Sequence, residues 1–237
     1  MGVRLSYTAA FLTHSEQSAL MLSAVASALV VLICLPPGIA IAWVLARKNF
    51  VGKTLLDTLV HLPLVLPPVV VGYALLSLFG RNGLLGPLQE RLGLEIAFTP
   101  IAVVFAGAVM GFPLLVRSAR LAFEALDEGL EAAARTLGAS PARVWWKVVL
   151  PMATPGIFAG ALLCFARSLG EFGATITFAG NIEGATRTLP LLIFTELQTP
   201  DGEHHVGRLV VISILLALGA LVLSEVGARR AKARRGL

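Results

Sequence analysis

An all-α fold embedded in a membrane is what this 237-residue chain predicts, on three observations. It is 57% apolar and 14% charged, whereas a soluble domain is typically about a quarter charged. The segments 18–46, 57–79, 99–120, 148–169 and 208–227 each stay apolar over the roughly twenty residues that a helix needs to cross a bilayer. The basic residues gather in the loops between those segments. Such a length allows one transmembrane domain, 1–237, and leaves no room beside it for a large soluble one. The net charge of +5 is then explained by orientation across the bilayer, and no nucleic-acid partner is expected.

Taken in order, residues 1–15 are expected to form a short helix at the outer interface. A cleaved signal peptide, with Ala26-Ser27-Ala28 as its site, is the rival reading. Against it, the first apolar segment is too long and only Arg4 is basic before it. The first span, 18–46, runs into Arg47 and Lys48. Gly52-Lys53-Thr54 looks like the end of a phosphate-binding loop, but that pattern needs a Gly five places before Gly52, where Arg47 stands. It reads instead as a positive anchor and a helix start, and the chain is not expected to hydrolyse ATP itself.

The second span, 57–79, contains Pro63, Pro67 and Pro68. Prolines remove backbone donors and kink a helix, freeing carbonyls that lipid cannot satisfy. The span is therefore either a kinked pore-lining helix, with Pro67 and Pro68 at its bend, or a helix with a purely structural kink. His61, near its inner end, reads as a packing or snorkelling residue rather than a proton relay. Cys34 and Cys164 lie inside apolar runs, so neither a disulfide framework nor a Cys-based metal site is expected. His204-His205, in a polar loop, reads as solvated rather than metal-bound.

Between the third span and the fourth lies a polar island, about 124–147, whose grammar is helix, break, helix. Asp127 suits an N-cap, with Glu128 and Glu131 in a first turn where the helix dipole favours carboxylates. Gly138 can take the left-handed conformation that ends a helix. Ser140 then caps a second helix with Pro141 at its first position. The product is a short exposed hairpin that either docks a soluble partner or merely links two spans.

At the end of the fourth span, Arg167, still within it, and Glu171 are spaced to pair on one helical face. Gly170 and Gly173 permit a chain break or close helix approach, and Phe172, Thr175 and Thr177 complete the block. Ionisable groups at membrane depth are costly and usually face a cavity or an interface. The block is thus a gate or an ion pair that staples helices, and both readings stand. Segment 171–200 is interrupted by Glu171, Asn181, Glu183, Arg187 and Glu196, so it is expected to be broken or re-entrant.

Thirteen of the nineteen Lys and Arg residues fall on one side if the chain crosses five times: those after the first span, those around the polar island and those after the last span. Positive residues mark the cytoplasmic side. The hairpin and the C-terminus are accordingly placed in the cytoplasm, and the N-terminus outside.

The hairpin sequence resembles the "EAA" loop of ABC-importer permeases: Glu131-Ala132-Ala133, Gly138 seven positions on, and the closing Leu150-Pro151. Ser168-Leu169-Gly170-Glu171-Phe172-Gly173-Ala174-Thr175, then Gly180-Asn181, Thr186-Arg187-Thr188-Leu189-Pro190 and Gln198-Thr199-Pro200, resemble more closely the permease subunits of molybdate importers. Leu62-Pro63-Leu64-Val65-Leu66-Pro67-Pro68 fits the same group. Sulfate and tungstate permeases are similar but match the later part less well.

The resemblance covers about residues 15–230 and implies a type I ABC-importer permease fold. It further implies a homodimer with two ATP-binding subunits, an extracytoplasmic oxyanion-binding protein, and a bacterial inner-membrane location. ATP and Mg²⁺ would sit on the partner subunit, with no cofactor held by this chain. Glu131, Ala132, Ala133, Gly138, Ala139, Ser140 and Pro141 would then form the coupling helix region. Pro67, Pro68, Arg167, Gly170, Glu171, Phe172, Gly173 and Thr175 are the pore or gate candidates. About ten residues follow the last span, so feedback through an appended cytoplasmic domain is not expected. Two other classes stay open on the residues alone: a secondary transporter, though no internal repeat is visible, and a membrane assembly subunit.

Overall fold

The computed structural model describes residues 12–200, 206–216, 218–219 and 222. The expected outer-interface helix at 1–15 and the pair His204-His205 therefore lie wholly or mostly outside the described residues. Among the described residues the chain is helical without strands.

The first helix, α1 (His14–Arg47), is 34 residues long. At 1.5 Å per residue it spans about 51 Å, more than a bilayer core of about 30 Å needs. It starts at a capping box: Glu16 N–H donates to Thr13 Oγ1 at 3.3 Å, and Thr13 N–H donates to Glu16 Oε2 at 2.6 Å. This box sets the helix start four residues before the expected span.

The expected second span is not one kinked helix. It is two, α2 (Lys53–Val65) and α3 (Pro68–Phe79), bent by 115°. The cause is local. Leu66 and Pro67 each precede a proline, which disfavours the helical region, and both adopt extended backbone. Two consecutive prolines also withhold two donors from the ladder. A short helix, α4 (Gly86–Leu92), comes after α3.

Next come α5 (Pro100–Glu124), α6 (Glu128–Thr136) and α7 (Pro141–Val144). A π-helical turn at Trp145–Val149 leads without interruption into α8 (Leu150–Leu169). Segment 171–200 is broken, as its polar interruptions predict. It contains α9 (Gly173–Phe178) and α10 (Leu189–Glu196), joined by an irregular stretch. The apolar helix α11 (Val206–Leu216) covers the start of the expected last span; the remainder of that span lies largely outside the described residues. By length and composition, α1, α5 and the continuous stretch Pro141–Leu169 are each able to cross a membrane, and α2 with α3 counts as a fourth if read as one broken span.

The core is a three-helix sandwich in which α5 packs against α8 and α1. Helix association in lipid relies on close packing and small residues rather than on a hydrophobic drive. Gly107 and Gly111 on α5, and Gly156 and Gly160 on α8, supply it. A Cβ on Gly111 would lie 2.8 Å from Cys164 Sγ and 2.9 Å from the Cys164 carbonyl oxygen. One on Gly160 would lie 2.9 Å from the Leu115 carbonyl oxygen. Cys34 and Cys164 are free thiols buried in this interface.

Backbone atoms cannot move aside as a flexible side chain can. Gly160→Leu is therefore expected to cost at least about 1–3 kcal/mol, as overpacking does. It should markedly lower the amount of folded protein recovered in detergent, measured by fluorescence-detected size exclusion. Gly170→Leu, where the nearest atom is 3.7 Å away, is the mild comparison.

Candidate functional site

The polar island folds as its caps dictate. Asp127 Oδ1 accepts from Gly129 N–H at 2.8 Å to start α6, and Ser140 Oγ accepts from Arg143 N–H at 3.4 Å to start α7. Pro141 is the first residue of α7, and Gly138 lies between the helices at φ +80°. A positive φ favours glycine, because a Cβ would crowd the following carbonyl.

The hairpin projects from the bundle end at which α1 and α5 finish and α8 begins. Ala132, Ala133, Gly138, Ser140 and Pro141 are exposed, Ala139 partly so. Leu137, at the tip, is 88% exposed, and Leu130 is exposed as well. Leu137 belongs to no expected site, yet it is the most prominent apolar group on the knob.

What fixes the knob is Arg47, which the sequence presents only as a positive loop residue. Its Nη1 lies 2.9 Å from Glu128 Oε1 and its Nη2 lies 3.0 Å from Glu131 Oε1. Nη2 also donates to the Leu126 carbonyl at 3.2 Å. Arg135 approaches Glu131 from the other side at 3.7 Å. Glu131 therefore points back toward α1 and presents little of itself to a partner. Trp145 stacks on Phe123, at 5.7 Å between ring centres, and meets the edge of Trp43 at 5.4 Å.

Arg47→Ala should leave Glu131 without its close partner and loosen the hairpin without unfolding the spans. Limited proteolysis would detect this as faster cleavage between Asp127 and Ser140. Arg47→Lys, which keeps the charge but not the fork, should give an intermediate rate.

A second network lies at the same end of the bundle, and its link between α2 and α5 carries no local signal in the sequence. Asp57 of α2 pairs with Arg120 of α5 at 2.8 Å and with His61 at 3.1 Å, and Arg120 also reaches Glu124 at 2.7 Å. His61 thus packs against Asp57, whose carboxylate ties α2 to Arg120 of α5.

At the opposite end, the structure brings the gate candidates together. Arg167 Nη1 pairs with Glu171 Oε2. Glu171, 2% exposed, turns its Oε1 to accept from Ala174 N–H at 2.9 Å, so it also caps α9. Gly173 lies against Pro68: a Cβ there would fall 2.8 Å from Pro68 Cβ. Phe172 packs on Phe194 of α10 at 5.0 Å between ring centres. Thr175 is 1% exposed and enclosed within the protomer, so in this conformation it is not presented to a second copy. Gly170 ends α8, and Pro67 sits at the α2–α3 break.

A family model described as "Binding-protein-dependent transport system inner membrane component" matches residues 38–229. The chain belongs to this family of transport-system permeases. It is 54% identical over 226 residues to the molybdenum transport system permease protein ModB of Escherichia coli (strain K12), across 95% of this chain and 99% of that protein. It is 49% identical over 222 residues to the ModB of Haemophilus influenzae, across 93% and 97%. It is also 40% identical over 189 residues to the sulfate transport system permease protein CysT of Salmonella typhimurium, across 80% and 67%.

Two solved structures share the fold. A bacterial alginate ABC transporter, in complex with an alginate-bound periplasmic protein, gives a TM-score of 0.73 at 15% identity, across 93% of this chain and 80% of that one. The inward-facing MetNI methionine ABC transporter gives 0.67 at 17%, across 92% and 94%. The fold is that of a type I ABC-importer permease, and the protein is a multi-span transport component of the inner membrane.

Proposed function

We propose that this permease forms the path by which an oxyanion, molybdate first, enters the cytoplasm. The observation that carries the reading is its identity with molybdenum permeases along nearly the whole of both chains. The likeness to a sulfate permease, lower and over less of that protein, favours sulfate as a second reading; tungstate is the third. Uptake of labelled molybdate in cells with and without this chain tests it, with tungstate and sulfate as competitors. Labelled molybdate uptake that is the same with and without the chain, beside labelled sulfate uptake that depends on it, would overturn the first reading.

In this proposal two copies of the permease pair with two ATP-binding subunits, and a soluble binding protein delivers the anion outside. The chain catalyses no reaction; nucleotide and Mg²⁺ belong to the partner. ATP draws the nucleotide subunits together and carries with them the hairpins, docked through Ala132, Ala133, Leu137, Gly138, Ala139, Ser140 and Pro141. Glu131 acts from behind, through Arg47.

The spans then change between two packed states, as bistable helical assemblies do. The break at Pro67-Pro68 and the block Arg167, Gly170, Glu171, Phe172, Gly173 and Thr175 form the gate region, because there the short helices α3 and α9 meet. Few fixed charges along the path suit an anion that must leave as readily as it binds.

Orientation is part of the proposal, with the N-terminus outside and the C-terminus in the cytoplasm. Single cysteines at the exposed positions Asn49 and Ser140 should need a membrane-permeant reagent. Those at the exposed Asn82 and Gln198 should react with an impermeant one. Reaction of the Ser140 position from outside would overturn both the orientation and the docking role.

A further inference from the structure

Beside the docking knob, the end of α1 and the start of the α7–α8 stretch enclose a groove of about 520 Å³. Its floor is apolar, formed by Ala40 and Val44 on one wall and Val149 on the other. Ala40 lies seven residues before Arg47, about 10 Å along the helix, in the apolar part of α1. The rim lies beyond the helix end and carries Lys48 and Arg135.

Glu131 also lines the groove and pairs with Arg47 at 3.0 Å and with Arg135 at 3.7 Å; the lining itself holds two cations, Lys48 and Arg135, against this one carboxylate, so the rim is net positive. The Lys48 ammonium sits 5.3 Å from the centre of the Trp43 ring and has no carboxylate partner among the described residues. Trp43 and Trp145 stand at the level between floor and rim, where amphipathic rings settle at a membrane boundary.

We propose that this groove binds an anionic phospholipid, its phosphate between Lys48 and Arg135 and an acyl chain along Ala40, Val44 and Val149. Cations above an apolar cleft between spans recognise such head groups. A soluble partner can reach the rim, but Ala40 and Val44 of the floor belong to the apolar helix α1, which is able to cross a membrane, and lipid is the occupant that such a floor suits. Because Glu131, Arg135 and Pro141 form one wall, an occupying lipid braces the hairpin against α1. The site requires only that this end of the bundle meets a lipid surface, so it stands or falls separately from the substrate.

The test uses the transporter assembled with its ATP-binding subunits in phosphatidylcholine vesicles holding a minor fraction of phosphatidylglycerol. After detergent extraction, native mass spectrometry reads the lipids retained. The intact complex should keep phosphatidylglycerol in preference to phosphatidylcholine. Lys48→Glu, at an exposed position, and Ala40→Trp, which fills the floor, should each lower that retention about tenfold.

Equal retention in both variants overturns the site. So does loss of both lipids alike in Ala40→Trp with no effect of Lys48→Glu, since head-group recognition would then be absent. A cysteine at Ala40 that the ATP-binding subunit alone protects from labelling in lipid-free detergent also overturns it, because the occupant would be protein.

Discussion

Gly138→Asp is expected to leave the permease folded in the membrane and to lower uptake by at least about tenfold, the size of a lost docking contact of about 1.4 kcal/mol. The structure separates these two outcomes. Gly138 has φ +80°, and a Cβ added there would meet open space, with no atom within 4 Å. A side chain at this position clashes with nothing in the chain and adds only left-handed strain, roughly 1–2 kcal/mol, to a surface turn. Uptake lost at equal expression therefore reports what docks on the knob.

Gly52→Asp provides the control. Gly52 has φ +94°, equally open surroundings and a place in a loop at the same end of the bundle, but it lies off the hairpin. It should carry similar strain and keep most of the uptake. Equal loss in both variants would mean that strain, not docking, is responsible. ATP hydrolysis that continues while uptake fails in Gly138→Asp would mark uncoupling.

The hairpin is legible in the sequence because caps are local: Asp127, Gly138, Ser140 and Pro141 each act on backbone within three residues. The broken segment after Glu171 is legible because its polar residues cannot face lipid. The clamp on the hairpin is not legible. Arg47 meets Glu128 and Glu131 across more than eighty residues, and nothing near Arg47 in the chain distinguishes it from the other loop cations that orient a membrane protein.

The α5–α8 contact lies between these cases. The four-residue spacing of Gly107 with Gly111, and of Gly156 with Gly160, is visible in the chain, but only the partner helix turns that spacing into close approach. The prolines of the second span signal a disturbance, and a kink is too mild a reading of it. Two successive extended residues redirect a chain more than the loss of one hydrogen bond does.

Glu171→Gln is expected to lower uptake at least about tenfold while leaving most of the protein folded. The carboxylate has two tasks, one on each oxygen. Oε1 accepts from Ala174 N–H and starts α9, and the amide oxygen of Gln can still do this. Oε2 pairs with Arg167, and Gln cannot carry that charge. Removing one member of a largely buried pair leaves the other uncompensated, at a cost of about 3–5 kcal/mol when both are fully enclosed. Arg167 keeps 29% of its side chain exposed, so the pair is not fully enclosed, the cost falls below that figure and the fold should survive.

Adding Arg167→Gln removes the orphaned charge. The double variant should recover the amount of folded protein but not the uptake, if the pair sets how α8 hands over to α9 and to the contact of Gly173 with Pro68. Recovery of uptake together with folded amount would reduce the block to a staple and place the gate elsewhere. Measuring transport per folded molecule, with the two single variants and the double side by side, separates these outcomes, because a staple is judged by its stability alone and a gate is not.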